Sequence, residues 1–359
     1  MIKIEYLEEI EDVYDITVED NHNFYANDIL VHNCREIGFI PVTDDGRCGF
    51  QMCNLSEING GKIESVEDWM KATEAATIIG TLQAGYTNFP YLGRVTKLLT
   101  EKEALLGVSV TGWFDNPLVM LDENNMYVNA KLAVKVNKEW SSKLKINQAA
   151  RVTATKPSGT ASLVLGASSG IHPHHARQYF RRVQMNHLDP VYQFLKEKNP
   201  HMTEESVWSA NKTDDVVTFP LTVSDNAILK KDLSSIEHLN FIKKVQEFYI
   251  KSGTTEANTK DVHHNVSCTV LVQDNWEEIA DYLFDNKDSF TAVSLLSKSG
   301  DKDYLQAPLE AVVTEEDQMK FKELEEKYVP LDYSSLEELE DNTKLAQTIA
   351  CSGGSCDLI

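Results

Sequence analysis

Ile29-Leu30-Val31-His32-Asn33-Cys34-Arg35-Glu36-Ile37-Gly38-Phe39-Ile40-Pro41 is where the 359-residue chain changes character. To its left the pattern is a small β unit. Val13 to Val18 reads as a strand, Glu19-Asp20-Asn21 as a turn, and Asn23-Phe24 as the start of another strand. Asn27-Asp28 is a second turn and Ile29-Leu30-Val31 a short apolar strand. Such a hairpin is too small to be stable alone. To the right, Cys34 to Pro41 predicts a buried apolar strand and Asp44-Asp45-Gly46 a turn. Longer elements follow. Ser65 with Asp68 marks a helix start through Trp69, Ala72, Ala76 and Ile79. Leu105 to Val110 reads as a buried strand, Ala130 to Lys145 as helical, and Val152 to Thr155 as a strand. Ser235 is expected to cap an amphipathic helix carrying Ile236, Leu239, Val245 and Phe248 and stopped by Gly253. Asn265 to Val272 reads as a strand and Trp276 to Phe284 as a helix. Strands alternating with helices of this length predict βαβ units and a parallel-rich α/β sheet.

The formal charge is −22, with acids concentrated between Thr314 and Asp341 in a helical pattern that reads as a solvated face. An acidic surface repels a phosphate backbone, so nucleic-acid binding is not expected as the main role. No run of 18 apolar residues is present, so no membrane span is expected. Residues 1–11 lack the apolar core of a signal peptide, and a cytoplasmic protein is the expectation.

Six cysteines occur, Cys34, Cys48, Cys53, Cys268, Cys351 and Cys356. In such a chain they are expected to be catalytic or metal-binding more than structural disulfides. On a strand, Cys34 and Glu36 would share one face. Burial and a neighbouring carboxylate both disfavour a thiolate, which suits a neutral thiol that loses a hydrogen atom. Cys351 and Cys356 flank Ser-Gly-Gly-Ser at the end of a polar tail, where glycines allow a mobile dithiol to exchange disulfides elsewhere. Cys48 reads as an incidental turn residue and Cys268 as core packing. The pairs Cys48/Cys53 and Cys351/Cys356 also have spacing compatible with one structural zinc. His172-Pro173-His174-His175 and His263-His264 read as surface histidines, and no metal site is expected from them.

Two resemblances rest on these residues. Val13-Tyr14-Asp15-Ile16, His22-Asn23-Phe24 and Val31-His32-Asn33-Cys34 resemble, in order and spacing, the C-terminal blocks of an intein, an all-β (Hint-type) fold. The resemblance implies that the Asn33 amide attacks its own carbonyl to cut before Cys34. His32 would polarise that carbonyl, Cys34 would accept the transesterified chain, and Asp15 and His22 would assist. With Met1 so close before these blocks, a split intein working in trans is the expectation. A truncated reading frame would look the same.

From Cys34 onward the chain resembles the C-terminal half of a ribonucleotide reductase, more narrowly the monomeric, adenosylcobalamin-dependent (class II) ribonucleoside-triphosphate reductases. The matching motifs are Cys34-x-Glu36-Ile37, Cys53-Asn54-Leu55, Lys156-Pro157-Ser158-Gly159-Thr160, Ser168-Ser169-Gly170-Ile171-His172, Val266-Ser267-Cys268-Thr269 and the Cys351/Cys356 tail. The resemblance implies half of a ten-stranded α/β barrel, with residues 1–33 as intein fragment, 34–340 as barrel half and 341–359 as redox tail. It makes Cys34 the radical cysteine that abstracts the ribose 3′ hydrogen and Glu36 the base for the 3′-OH. Cys53 becomes one of the pair reducing the 2′ position, regenerated by Cys351 and Cys356. Pro157, Ser158, Gly159, Thr160, Ala161 and Ser162 become the substrate-phosphate loop, whose bland alternative is an ordinary turn before a helix.

Implied partners are a ribonucleoside triphosphate, a thioredoxin-type reductant and an N-terminal half carrying the other intein fragment, in a bacterial or phage-infected cell. No tandem tyrosine near the C-terminus and no glycyl-radical motif occur, which separates the chain from the other two reductase classes, and the D-x-H-x-x-G cobalamin motif is also absent. His32 stands where the family has an asparagine, so that asparagine would arrive from the N-terminal half on splicing. So would the second reducing cysteine. The alternatives are a splicing precursor without reductase activity of its own and a zinc-bound module using Cys48, Cys53, Cys351 and Cys356.

Overall fold

The computed structural model describes residues 23–26, 29–32, 36–258, 262–297 and 305–335. The chain divides into two compact units, Met1–Asn33 and Cys34–Ile359. In the first, β1 (Asn23–Ala26) and β2 (Ile29–His32) form an antiparallel pair that sets Asn23 opposite His32 and Ala26 opposite Ile29. The strand expected over Val13 to Val18 lies outside the described residues.

In the second unit, the described part of the strand expected at 34–41, residues 36–41, does not form a strand. Residues 36–41 are irregular, because Gly38 and Pro41 interrupt any ladder and the segment is held by single hydrogen bonds instead. The first strand is β3 (Asn54–Asn59), followed by α1 (Val66–Ala84), α2 (Gly93–Glu103) and β4 (Leu106–Thr111). Ser65 caps α1 by accepting the Asp68 N–H. The buried face of α1 is Trp69, Thr73, Ala76, Thr77, Gly80 and Thr81, whereas Ile79 is exposed. A short α3 (Pro117–Met120), the long α4 (Glu123–Leu144) and α5 (Gly159–Leu165) come next.

β3 pairs in parallel with β4. Val108 bridges in parallel to Thr153, and Thr155 to Val266. The extended segment 151–155 therefore joins β3 and β4 to a second parallel pair further along the chain. Leu106, Val108 and Val110 belong to the core that contains Trp69, Met126, Leu239, Tyr249 and Val270.

Between these pairs lies an antiparallel sheet that the sequence pattern did not predict. It is built from β5 (Gln178–Asn186), β6 (Thr203–Glu205) and β7 (Asp214–Thr222), with α6 (Pro190–Lys198) in the first crossover. α7 (Ser235–Val245) follows. Its cap is Ser234, in a reciprocal capping box with Glu237, and not Ser235, whose hydroxyl donates to Leu271 O at 2.7 Å. The helix continues as a π turn to Ile250 and a 3-10 turn to Gly253. β8 (Cys268–Val272), α8 (Trp276–Asp285) and β9 (Val293–Ser297) complete the parallel run, with β8 beside β9. β10 (Leu309–Ala311) joins the antiparallel sheet in the order β10-β5-β7-β6, and α9 (Glu315–Lys327) covers it over Phe180, Tyr192, Val217, Phe321 and Leu324. The helix expected over 314–341 ends at Lys327. Among the described residues no helix is long and apolar enough to cross a membrane.

Candidate functional site

Side chains alternate across β3 and β4. Leu106, Val108 and Val110 turn toward the helices, and the other face carries Cys53, Leu55, Glu57, Gly107 and Ser109. Gly107 matters here, because a Cβ on it would lie 3.2 Å from Cys53 Sγ and 2.4 Å from Leu55 Cδ2. Its missing side chain leaves room for the half-buried thiol and for Ile37 of the neighbouring loop.

That loop carries Glu36, 6% exposed. Asn265 N–H donates to the Glu36 carbonyl at 2.8 Å. Gly38 N–H donates to His264 Nδ1 at 3.1 Å, and His264 Nε2 donates to Leu106 O at 2.8 Å. The imidazole thus ties the loop to β4. This role requires a neutral ring, and burial holds its pKa down at about 3. Gly38 approaches so closely that a Cβ would sit 2.2 Å from His263 O. On the other side, Ile40 N–H donates to Gln51 Oε1, and Gln51 Nε2 donates to Glu103 Oε2 at 2.8 Å. Glu103 is ion-paired with the buried Arg151.

Cys53 and Glu36 are therefore brought together. Burial pushes the Cys53 thiol far above its ordinary pKa, the Glu36 carboxylate pushes it the same way, and Arg151 opposes both. The group is a thiol at neutral pH. The face on which it lies can hold a protonated sulfur beside a buried carboxylate.

The loop 156–162 begins at the far end of this face. Lys156 pairs with Glu57 at 2.7 Å, Ser109 Oγ donates to Glu57 Oε1 at 3.0 Å, and Lys156 N–H donates to Ser109 Oγ at 3.2 Å. Glu57 is four residues beyond Cys53, roughly 13 Å along the strand. Ser158 takes the left-handed conformation (φ 58°), and α5 begins at Gly159. Ser162 closes the turn, its N–H donating to Ser158 O and its hydroxyl to Gly159 O, both at 2.8 Å. Gly170 packs against the loop so tightly that a Cβ would lie 2.3 Å from Lys156 O.

Of the other expected residues, Asp15, His22, Asn33, Cys34, Cys351 and Cys356 lie outside the described residues, and His32 is the last residue of β2. Cys48 is exposed and bridges to Val42, and Cys268 is buried, 3.4 Å from His238 Nε2. The histidines read as surface residues need correction. His172, His174 and His264 are buried. His174 Nε2 bonds Asp115 Oδ1 at 2.8 Å, and His172 Nδ1 donates to Ser169 O at 2.6 Å while its Nε2 accepts from Thr269 N–H at 3.0 Å. Each ring satisfies backbone or carboxylate groups from distant loops, which adjacency in sequence does not reveal. Among the described residues no group of three His, Cys, Asp or Glu side chains could hold a metal ion. Glu57, Ser109 and Arg151 were missed. The one trace of Ser109 in the sequence is a hydroxyl inside an otherwise apolar strand.

No family model matches the chain. It is similar to adenosylcobalamin-dependent ribonucleoside-triphosphate reductases. It is 26% identical to that of Levilactobacillus brevis over 251 residues, 68% of this chain and 32% of the relative. It is 25% identical to that of Lactobacillus acidophilus over 307 residues, 77% and 39% of the two. A probable reductase of the same name from Dictyostelium discoideum is 24% identical over 336 residues, 90% of this chain and 41% of the relative. The chain thus spans about a third to two fifths of these relatives. Among solved structures, a B-12 dependent (class II) ribonucleotide reductase superposes with a TM-score of 0.58 at 21% identity, covering 77% of this chain and 41% of that one. That likeness shows the fold.

Proposed function

We propose that residues 34–359 are the C-terminal half of an adenosylcobalamin-dependent ribonucleoside-triphosphate reductase. Residues 1–33 are, on this reading, the C-terminal fragment of an intein that joins it to the N-terminal half. The observation that carries the reading is the buried Glu36 carboxylate beside the protonated Cys53 thiol, on a strand that leads toward the Lys156–Ser162 loop.

Splicing comes first. Cys34 accepts the N-terminal chain, the Asn33 amide cyclises with help from His32, and Asp15 and His22 move protons. Reduction follows. Cys34, as a sulfur radical, takes the 3′ hydrogen of the ribose, and Glu36 takes the 3′-OH proton. The 2′-OH leaves as water while Cys53 and a cysteine of the other half supply two electrons and become a disulfide. Cys34 then returns the hydrogen to C3′. The dithiol Cys351/Cys356 reduces the pair and is itself renewed by a thioredoxin-type reductant. Pro157 to Ser162 hold the phosphates, with Lys156 as the nearest cation.

The chemistry that bound adenosylcobalamin supplies is a cobalt–carbon bond that breaks homolytically, the source of the unpaired electron. A histidine of this chain that held the cofactor's metal would need a ring nitrogen free to reach it. His172, His174, His238 and His264 are all buried, and each commits at least one ring nitrogen to a carbonyl or to Asp115. These four buried rings do not fit that role. The residues here fit the substrate side of the reaction, and on this reading much of the cobalamin surface comes from the N-terminal half.

The test is to mix this chain with an N-terminal precursor of the family. A ligated product that reduces ribonucleoside triphosphates only with adenosylcobalamin, and is inactive as Cys34→Ser, is expected. Ligation without reduction, or an active Cys34→Ser product, would overturn the reductase reading.

A further inference from the structure

The Lys156–Ser162 loop is braced from beneath by the segment Ser168-Ser169-Gly170. Ser169 Oγ donates to Pro157 O, and Gly170 lies against the Lys156 carbonyl with no room for a side chain. At the far end of α5, Asn59 Nδ2 donates to Leu165 O at 2.8 Å. Where 168–170 sits therefore decides where the loop sits.

That segment is held by the residues that end and follow β4. Thr111 Oγ1 donates to Ser168 O at 2.7 Å and accepts from Gly170 N–H at 2.9 Å. Trp113 N–H donates to Gly170 O at 3.2 Å. Asp115, buried just beyond, makes the tightest hold. Its Oδ2 accepts from Ser168 N–H at 3.0 Å and from the Ser168 hydroxyl at 2.6 Å, while its Oδ1 accepts from His174 Nε2 at 2.8 Å. His174 is stitched in turn to the next loop, its N–H donating to Ile228 O at 3.1 Å and its carbonyl accepting from Lys230 N–H at 2.7 Å. Two glycines leave space for the carboxylate. A Cβ on Gly61 would lie 3.2 Å from Oδ1, and one on Gly112 would lie 3.0 Å from Oδ2.

As a bare charge, an acid near a phosphate loop works against the phosphates. As an acceptor it does something no neutral apolar residue can, fastening two turns of the chain to the carboxyl end of β4. Burial opposes the charged form, but the hydrogen bond and charge of His174, with the bonds from Ser168, hold the Asp115 pKa below the usual carboxylate range. Both oxygens are engaged by protein donors, so the side chain acts on the loop and not on a ligand.

We propose, on the reading of 157–162 as the phosphate cradle, that Asp115 is a positioning residue for it, setting the loop's backbone through Ser168 and Ser169. The test is the KM for a ribonucleoside triphosphate, and kcat, of the spliced enzyme. Asp115→Ala strips Ser168 of its acceptor and is expected to raise KM about tenfold with kcat within about twofold. Asp115→Asn keeps an oxygen for Ser168 without the charge, and should bring KM back to within about threefold of wild type. Loss of folded enzyme alone would lower kcat and leave KM where it was. Should Asp115→Ala fail to fold, Ser168→Ala, which removes one of the bonds, is expected to raise KM by about threefold. Hydrogen exchange of the unspliced chain reads the same hold without activity, and Asp115→Ala should quicken the amides of 157–170 while those of 54–59 keep their rate. A wild-type product that reduces no triphosphate sinks the cradle reading and this role together. With an active wild type, Asp115 alone loses the role if Asp115→Ala keeps its KM, if Asp115→Asn is as impaired as Asp115→Ala, or if both variants lower KM as removal of a bare charge would.

Discussion

Glu36 and Cys53 each alter what the other can do. The carboxylate raises the thiol's pKa, so Glu36→Gln is expected to speed iodoacetamide labelling of Cys53 at pH 8 by about three- to tenfold. Exposed Cys48 serves as the internal reference, and it should be modified before Cys53 in the native chain. Arg151→Gln should shift Cys53 the other way, toward slower labelling. Peptide mapping by mass spectrometry reads both. His264 is the residue through which the loop is held. His264→Ala leaves Gly38 N–H and Leu106 O without their partner and should cost about 2–3 kcal/mol in urea unfolding. Glu36 and Cys53 were legible in the sequence because a motif named them. His264 was not, since His263-His264 beside Asp261 looks like a solvated turn and its two acceptor and donor contacts come from 158 and 226 residues away.

Elements with local signals were legible: the Ser65 cap, the buried β4 and the amphipathic α8 all stand where the pattern puts them. Over 36–41 the expected strand failed because a period-2 apolar run says nothing about whether a neighbour offers a ladder. The antiparallel sheet was hidden for another reason. β5 carries Arg181 and Arg182 in its middle, and Arg182 is accommodated by an ion pair with Glu310 of β10 at 2.7 Å, a compensation more than 100 residues distant. This sheet has its own core under α9. Phe321→Ala should therefore cost about 3–4 kcal/mol. Hydrogen exchange should quicken across 178–222 and 309–327 while β4 stays protected.

At the scale of the whole molecule, the alternation of strands and helices announced a parallel α/β unit, and the run from β3 through 151–155 to β9 is that unit. Nothing in the alternation told how many strands the sheet needs, because edges are defined by partners. Three neutral histidines set its acid limit. His172 and His264 have pKa values held down at about 3 and His238 at about 4, against 6.5 unfolded. The unfolded chain binds these protons first, so stability is complete above pH 6.5 and falls as pH drops toward 4. The slope is about 1.4 kcal/mol per pH unit for each ring. Urea midpoints should decline steeply between pH 6 and 5, and His264→Gln should flatten that decline by about one ring's share.

Among the described residues, β3 is paired only with β4 and β9 only with β8, so neither rim of the parallel run has a further strand beside it. A chain with two such rims is sticky until something covers them. If the proposed N-terminal half covers them, the chain overproduced alone should collect in inclusion bodies that co-expression with that half dissolves. Gene dosage, more than catalysis, would be where evolution first notices an imbalance.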